Sequence, residues 1–287
     1  MFYNKKYHKF PARGANLAEK VYLLDPLNLT WLIPTKGSNI VKYKAKINFL
    51  FYIGESFIFA FFIREEIFMK LSEILYQSTE EIWKSYLSHP FVKELGEGTL
   101  SPDKFRFYML QDYLYLLEYS KVFALGIIKS KKETLMRKFA AMVHNTLDGE
   151  MQIHKTYMEK LGISQQEIKQ AKQSLTNRSY TSYMMEVSYN GDVLDVLVAI
   201  LSCAWSYQVI GEHHSKIANA LQHPLYGEWI KGYSSEEYRK ETQELIDLTD
   251  KLGEKISEER MEELKVIFIS CSRYEYAFWD MAYQKEM

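Results

Sequence analysis

Apolar side chains recur at α-helical spacing from residue 69 to the last residue, and this periodicity limits the fold more than any other feature of the chain. The first stripe contains Leu71, Ile74, Leu75, Ser78 and Ile82, which follow the three- and four-position spacing of one helix face. A half-buried strand would instead need alternating apolar and polar residues, and no segment of residues 69–287 alternates in this way. We therefore predict an all-α fold, a single helical bundle, for residues 69–287.

Several of the predicted helices have recognisable ends. Ser101 precedes a proline, the order expected of an N-cap and a first helical residue. Gly162 is placed to end a helix over Glu133–Leu161, and Ser164 begins a capping box. The segment from Val193 to about Ile217 is the most apolar and lacks a polar face, so we expect a helix that is buried on all sides.

The N-terminal leader, residues 1–68, differs in composition from the rest of the chain. It carries 10 Lys and Arg against 5 Asp and Glu, whereas the remainder carries 26 against 32. Arg64–Glu66 can be encoded by a purine-rich run shortly before Met69, which is the arrangement of a bacterial ribosome-binding site ahead of a start codon. We therefore expect the natural protein to begin at Met69 and to consist of a catalytic domain over residues 69–287.

Two alternatives stay open for the leader. The run Ile47–Ile63 is apolar and aromatic and follows basic residues, as a membrane anchor would. The run is short for a membrane span, and Glu55 in its middle would be costly within a bilayer. The other alternative is a disordered or loosely packed extension.

The charge and the cysteine content narrow the classes of function. The formal net charge is −1 at pH 7, so nothing in the composition favours binding to nucleic acid, and we expect no membrane contact from residues 69–287. Cys203 and Cys271 are the only two cysteines, too few for a disulfide framework. This favours a reducing compartment, and we expect a cytoplasmic protein.

Three clusters of polar residues lie within apolar or aromatic segments and are candidates for a functional site. Cys203 and Tyr207 lie four positions apart on one face of the predicted buried helix. Glu275 lies among large aromatic residues, and desolvation there raises the pKa of a carboxyl towards neutrality. Asp112 interrupts an apolar helix face one turn before Tyr115. A buried carboxyl needs polar partners, and an aminopyrimidine offers an amine and a ring nitrogen.

Each candidate alone also has a purely structural interpretation. A buried cysteine commonly packs as a small inert residue, and we interpret Cys271 in this way. Glu275 is equally compatible with a surface position paired with Arg273. Cys203 becomes a nucleophile only where a neighbour promotes the thiolate or accepts its proton.

The order of several motifs resembles the TenA/thiaminase II family from about Leu71 to Tyr283. Any one motif is weak by itself, but the series in this order and spacing is specific. The motifs are His89-Pro-Phe91 with Gly98-Thr-Leu100, Phe107–Leu116, Tyr180-Thr-Ser-Tyr-Met184, Cys203-x-Trp-x-Tyr207, Gly211-Glu212, His223-Pro-Leu-Tyr-x-x-Trp229, Tyr233 and Glu275-Tyr-x-Phe-Trp279.

The resemblance implies a haem-oxygenase-like helical bundle without haem or any other cofactor or metal, assembled as a homotetramer. It implies a hydrolase of thiamin salvage from the cysteine-containing branch, which acts on aminomethyl-pyrimidines and, more slowly, on thiamin. It also implies roles for the matching positions. Catalysis is assigned to the nucleophile Cys203, the proton donor Glu275 and the assisting hydroxyl of Tyr115, and substrate binding to Asp112, Tyr207, Tyr233 and Tyr180.

These residue types favour covalent catalysis. We expect Cys203 to add to an electrophilic carbon of the pyrimidine while a ring nitrogen takes up a proton with help from Asp112. The adduct expels the amine, which Glu275 protonates, water adds at the methylene, and the thiol leaves. General acid–base assistance of this kind contributes roughly 10²–10⁴-fold.

Two alternatives of other classes stay open. The first is a metal-dependent oxidase on the same fold, for which Glu118, Glu150, His154 and the Glu212-His-His214 run offer ligands. Against it, the second Glu-x-x-His motif of a di-iron bundle is missing, and adjacent histidines point in different directions on a helix. The second alternative is a non-enzymatic pyrimidine-binding or regulatory protein.

Overall fold

The computed structural model describes residues 28–34, 40–53, 57–67 and 69–287, and the chain divides into two compact units, Met1–Met69 and Lys70–Met287. The described part of the first unit contains β1 (Asn28–Pro34), β2 (Ile40–Ile53) and β3 (Phe57–Ile67). They form an antiparallel sheet in the order β1-β2-β3. The interpretations of the leader as upstream translation, anchor or loose extension depend partly on residues outside these ranges, and they stay predictions.

Residues 70–287 form helices throughout, as the periodicity predicts. A π-helical turn, Asn145–Glu150, joins α4 to α5, and a short 3₁₀ turn, Ala220–Gln222, precedes α9. The helices are α1 (Leu71–Ser88), α2 (Pro90–Glu97), α3 (Pro102–Lys129), α4 (Glu133–His144), α5 (Met151–Lys160), α6 (Gln165–Gln170), α7 (Leu175–Asn190), α8 (Val193–His214), α9 (Gly227–Tyr233), α10 (Glu236–Gly253) and α11 (Glu258–Gln284).

The predicted helix ends are confirmed in part. Ser164 and Glu167 form the predicted capping box, with both backbone N–H groups bonded to the partner's side chain. Gly162 adopts φ 68°, the left-handed conformation that favours glycine after a helix. Ser101 occupies the N-cap position, but its side chain makes no capping hydrogen bond. The helix expected over Glu133–Leu161 is confirmed as continuous helical backbone to Lys160, but the π-helical turn within it was not predicted.

α8 is the central helix of the bundle, and it packs against α3, α7, α9, α10 and α11. Its residues 196–201 are fully buried, which matches the missing polar face. Among the described residues α8 is the one helix long and apolar enough to cross a membrane. Of its most apolar stretch, 67% is buried inside the bundle. It ends at His214, slightly earlier than the predicted Ile217. Its apolar surface is therefore used to form the core.

A buried polar cluster at Ser272 ties α11 to two other helices. The hydroxyl of Ser272 accepts a hydrogen bond from Trp83 Nε1 at 3.0 Å and lies 2.9 Å from the hydroxyl of Ser202. The hydroxyl of Tyr86 donates to the carbonyl oxygen of Ser272. These bonds fix α11 against α1 and α8 three residues before Glu275. They therefore set the position of the Glu275 carboxyl relative to those two helices.

The close approach of α3 and α4 gives a test of the packing. A Cβ atom added to the buried Gly126 would lie 2.3 Å from the ring of Phe139. We expect Gly126→Ala to lower the free energy of unfolding by roughly 1–3 kcal/mol, because two helices would have to move apart. Gly232→Ala is the matched control, since a Cβ there meets nothing within 4 Å, and it should be neutral or slightly stabilising. Urea denaturation measures both, and equal effects would contradict the packing.

Candidate active site

A cavity of about 900 Å³ lies between α3, α4, α5, α8, α9, α10 and the π-helical turn. Five of the seven site residues predicted from the sequence lie on its wall: Asp112, Tyr115, Cys203, Tyr207 and Tyr233. The other two, Tyr180 and Glu275, are 0% and 2% exposed and lie outside the set of residues that line the cavity. The structure thus gathers site residues of three helices, α3, α8 and α9, around one cavity.

Cys203 presents its thiol to the cavity from the middle of α8 and is 9% exposed. Burial raises the pKa of the Cys203 thiol well above its usual range, and the negative charge of Glu275 raises it further. Hydrogen bonding with Tyr115 acts in the opposite direction and lowers that pKa. The group is therefore a thiol at neutral pH, and it needs a base before it can react as a nucleophile.

Glu275 lies next to the thiol, on α11. Burial raises the pKa of the Glu275 carboxyl to about 7, although hydrogen bonds from Tyr180 and Cys203 act to lower it. The Tyr180 hydroxyl donates to Oε1 of Glu275 at 2.7 Å. The alternative of a surface glutamate is wrong, since this side chain is buried. At neutral pH both the acid and the carboxylate are populated, so Glu275 can accept a proton and return it.

The tyrosines predicted beside the thiol take up two different positions. Tyr115 lines the cavity, and its hydroxyl lies 3.8 Å from the sulfur of Met184. The ring of Tyr180 lies 5.3 Å from that of Tyr115 and stacks on Tyr274 at an interplanar angle of 10°. Tyr180 thus contacts Glu275 without lining the cavity itself. Its contact with a ligand in the cavity stays a prediction.

Asp112 lies on α3, and only one of its carboxylate oxygens, Oδ2, makes hydrogen bonds to the described residues. Its Oδ2 accepts a hydrogen bond from the hydroxyl of Tyr108 at 3.0 Å and lies 2.7 Å from Nε2 of His154. Its Oδ1 makes no hydrogen bond to any residue that the structure describes. Since Asp112 lines the cavity, Oδ1 is the carboxylate atom available to a ligand.

Glu150 ends the π-helical turn and holds two residues of the site. Its carbonyl oxygen lies 3.0 Å from Nδ1 of His154, and its side chain accepts a hydrogen bond from the hydroxyl of Tyr233 at 2.9 Å. Burial raises the pKa of the Glu150 carboxyl. Single π-helical turns are often found at functional sites, where the wider turn changes which side chains face inwards.

From the sequence, Glu150 and His154 were predicted only as possible metal ligands, and their contacts with the other site residues were not predicted. The signal that was available was their spacing of four positions, which places both on one helix face. That spacing could not show that Asp112, on another helix, lies opposite them. Glu118 pairs instead with Lys121, and within the described ranges no group of three or more His, Cys, Asp or Glu residues is arranged to hold a metal ion.

Aromatic side chains of α8 and α9 form one wall of the cavity. The rings of Tyr207 and Tyr233 meet edge to face at 4.8 Å, and Trp229 meets Tyr233 in the same way at 4.6 Å. The Tyr207 hydroxyl lies 3.3 Å from that of Tyr108, which also accepts a hydrogen bond from Trp229 Nε1 at 3.3 Å. Such a wall presents both ring surface and hydroxyl groups to a flat heterocycle.

Comparison with known proteins identifies the family of this chain. The sequence model of the TENA/THI-4/PQQC family matches residues 76–285. The chain belongs to this family. It is 50% identical over 216 residues, 75% of this chain and 100% of the other, to an aminopyrimidine aminohydrolase of Helicobacter pylori.

Solved structures give the same result for the fold. A TenA homologue from P. horikoshii OT3 is similar to this chain with a TM-score of 0.70 and 30% identity, over 75% of this chain and 99% of its own. A haem oxygenase from Leptospira interrogans is similar with a TM-score of 0.55 and 12% identity, over 74% and 98% of the two chains. The expected haem-oxygenase-like helical fold is therefore confirmed.

The raised pKa of Glu275 links stability to pH. The folded protein keeps the Glu275 proton up to pH of about 7, whereas the unfolded chain loses it near 4.5. Stability from this group is therefore present at low pH and is lost as pH rises through this window, by about 3 kcal/mol in total. We expect Glu275→Gln to remove this loss, so that stability falls less between pH 5 and pH 8 than in the wild type. Urea denaturation at the two pH values measures the difference, and an identical fall in both proteins would show that Glu275 is already ionised at pH 5.

Proposed function

We propose that this chain is an aminopyrimidine aminohydrolase of thiamin salvage. Its proposed reaction converts 4-amino-5-aminomethyl-2-methylpyrimidine and water to the hydroxymethyl pyrimidine and ammonia, with slower cleavage of thiamin. The observation that carries the proposal is the pairing of the Cys203 thiol with the Glu275 carboxyl beside a cavity that also holds the free Oδ1 of Asp112. The aminopyrimidine aminohydrolase of Helicobacter pylori, which is half identical in sequence, supports the same reaction.

Recognition of the pyrimidine follows from the polar and aromatic groups of the cavity. Oδ1 of Asp112 is placed to accept a hydrogen bond from the amino group on the ring, or from a protonated ring nitrogen. The aromatic wall of Tyr207 and Tyr233 contacts the ring. A cavity of about 900 Å³ also leaves space beside a single pyrimidine for a larger leaving group, as the proposed slower cleavage of thiamin requires.

The chemistry follows from the protonation states of the two central groups. The Glu275 carboxylate accepts the Cys203 proton, and the sulfur adds to an electrophilic ring carbon while a ring nitrogen on the Asp112 side takes up a proton from solvent water. Glu275 then gives its proton to the departing amine, and the carbon–nitrogen bond breaks to leave an exocyclic methylene. Water adds there and gives a proton to the Glu275 carboxylate, the ring nitrogen returns its proton to solvent, and the thiolate leaves and takes back the proton held by Glu275. The sum is one water consumed and one ammonia released.

The nucleophile is tested by replacing Cys203 with serine. We expect Cys203→Ser to keep the fold and the affinity for the hydroxymethyl pyrimidine but to lose roughly 10³-fold or more of the turnover, because an alcohol is a far weaker nucleophile. Ammonia release measures turnover, and calorimetry measures binding.

Cys271→Ala is the matched control, since Cys271 is fully buried on α11 and does not line the cavity. It should keep most of the activity. Full activity in Cys203→Ser would refute the nucleophile. A wild-type protein that binds the aminopyrimidine but releases no ammonia would instead support the non-enzymatic binding protein.

We propose further that the protein is a cytoplasmic homotetramer that acts without a cofactor. The buried free thiols of Cys203 and Cys271 support a reducing compartment, and the tetramer rests on family resemblance. Light scattering on the purified protein should give four times the mass of one chain, which is 34.0 kDa for the full sequence. The mass of a single chain would contradict the tetramer.

A further inference from the structure

His154 lies on α5 with both ring nitrogens facing oxygen atoms. Nδ1 lies 3.0 Å from the carbonyl oxygen of Glu150, and Nε2 lies 2.7 Å from Oδ2 of Asp112. A carbonyl oxygen has no hydrogen to donate, so Nδ1 must carry one. The contact with Asp112 then contains a single proton, which belongs either to the imidazole or to the carboxyl.

The surrounding hydrogen bonds favour the imidazole as the site of that proton. Trp229 Nε1 can only donate, and it donates to the hydroxyl oxygen of Tyr108 at 3.3 Å. The hydrogen of the Tyr108 hydroxyl is then directed to Oδ2 of Asp112 at 3.0 Å, its shorter oxygen contact. The hydrogen bond from Tyr108 stabilises the charged form of Asp112, which favours the imidazole as the holder of the shared proton, so the buried pair is an imidazolium and a carboxylate.

The electrostatics agree with this geometry. Burial acts to lower the pKa of His154, but the hydrogen bond and charge of Asp112 and the charge of Glu150 outweigh it, and the pKa of His154 is raised overall. Both members of the pair are almost fully buried, at 2% exposure for His154 and 4% for Asp112. Removal of one partner would leave the other as an uncompensated buried charge.

We propose that His154 is a positioning residue that keeps Asp112 ionised and fixes its Oδ2 to the protein, so that Oδ1 alone meets the amino group of the pyrimidine. The identity of that amino group rests on the proposed function, whereas the orientation of Asp112 does not. A carboxylate fixed in this way accepts a hydrogen bond from the amino group of the ring. A protonated or rotated carboxyl would present a hydroxyl or Oδ2 instead.

The test is a comparison of two ligands that do not react. One is the hydroxymethyl pyrimidine with its 4-amino group, and the other is the same molecule with hydrogen at that position. We expect the wild type to bind the 4-amino ligand roughly 10- to 100-fold more tightly, the range of a hydrogen bond to a buried charge. In His154→Leu this preference should fall to about 1, with a smaller change in affinity for the ligand that lacks the amino group.

Two further variants separate positioning from folding. His154→Gln keeps an N–H group that can reach Asp112 without a charge, and we expect it to restore a large part of the preference. In an Asp112→Asn background, His154→Leu should reduce the preference no further, because the two residues act on one contact. With the aminomethyl substrate, His154→Leu should raise KM more than it lowers kcat.

The outcomes that overturn the inference are distinct from a failure of the proposed function. An equal loss of affinity for both ligands in His154→Leu would mean that His154 only supports the fold, and unchanged affinities would mean that it has no role. Either result overturns the inference even where the wild type releases ammonia. The ligand preference and its loss in the variant can in turn be measured where no ammonia is released, in which case the proposed reaction alone fails. A wild type that binds neither ligand overturns both.

Discussion

The burial of a thiol and a carboxyl side by side is the constraint on which the site depends. The charge of Glu275 makes the Cys203 thiolate less favourable, whereas the hydrogen bond from Cys203 favours the Glu275 carboxylate, so a negative charge on the pair lies on the carboxyl. The packing around them enforces this arrangement. Residues 196–201 of α8 are fully buried, and the Ser272 cluster fixes α11 one turn before Glu275. A looser bundle would admit water, lower both pKa values and separate the two groups.

The carboxyl of Asp112, which lines the cavity, has different neighbours from that of Glu275. Asp112 has a buried imidazole at 2.7 Å and a tyrosine hydroxyl at 3.0 Å, both on one oxygen. Glu275 has a hydroxyl and a thiol instead, and its pKa is raised to about 7. The two carboxyls of the site thus have different neighbours, which is how a single site can bind through one and transfer protons through the other.

The fold could be predicted from the sequence because its determinants are local. Helical periodicity, the capping box at Ser164 and the all-round apolar character of α8 each depend on residues close together in the chain. The interruption between α4 and α5 was missed, because no residue type marks a π-helical turn. The partners within the site were missed for another reason. The contacts of Asp112 with His154 and of Glu150 with Tyr233 join residues of different helices, and one sequence gives no distance between such residues.

The π-helical turn explains why those missed contacts belong together. Glu150 is its last residue, and through its backbone carbonyl and its side chain it holds His154 on one side and Tyr233 on the other. His154 in turn holds Asp112, and Tyr233 packs against Tyr207 on the aromatic wall. If this segment were a regular α-helix, a change in register of one residue would rotate the Glu150 side chain by about 100° about the helix axis. Glu150 could then not keep its contacts with both His154 and Tyr233. The local departure from α-helical geometry is therefore what couples the polar side of the cavity to its aromatic side.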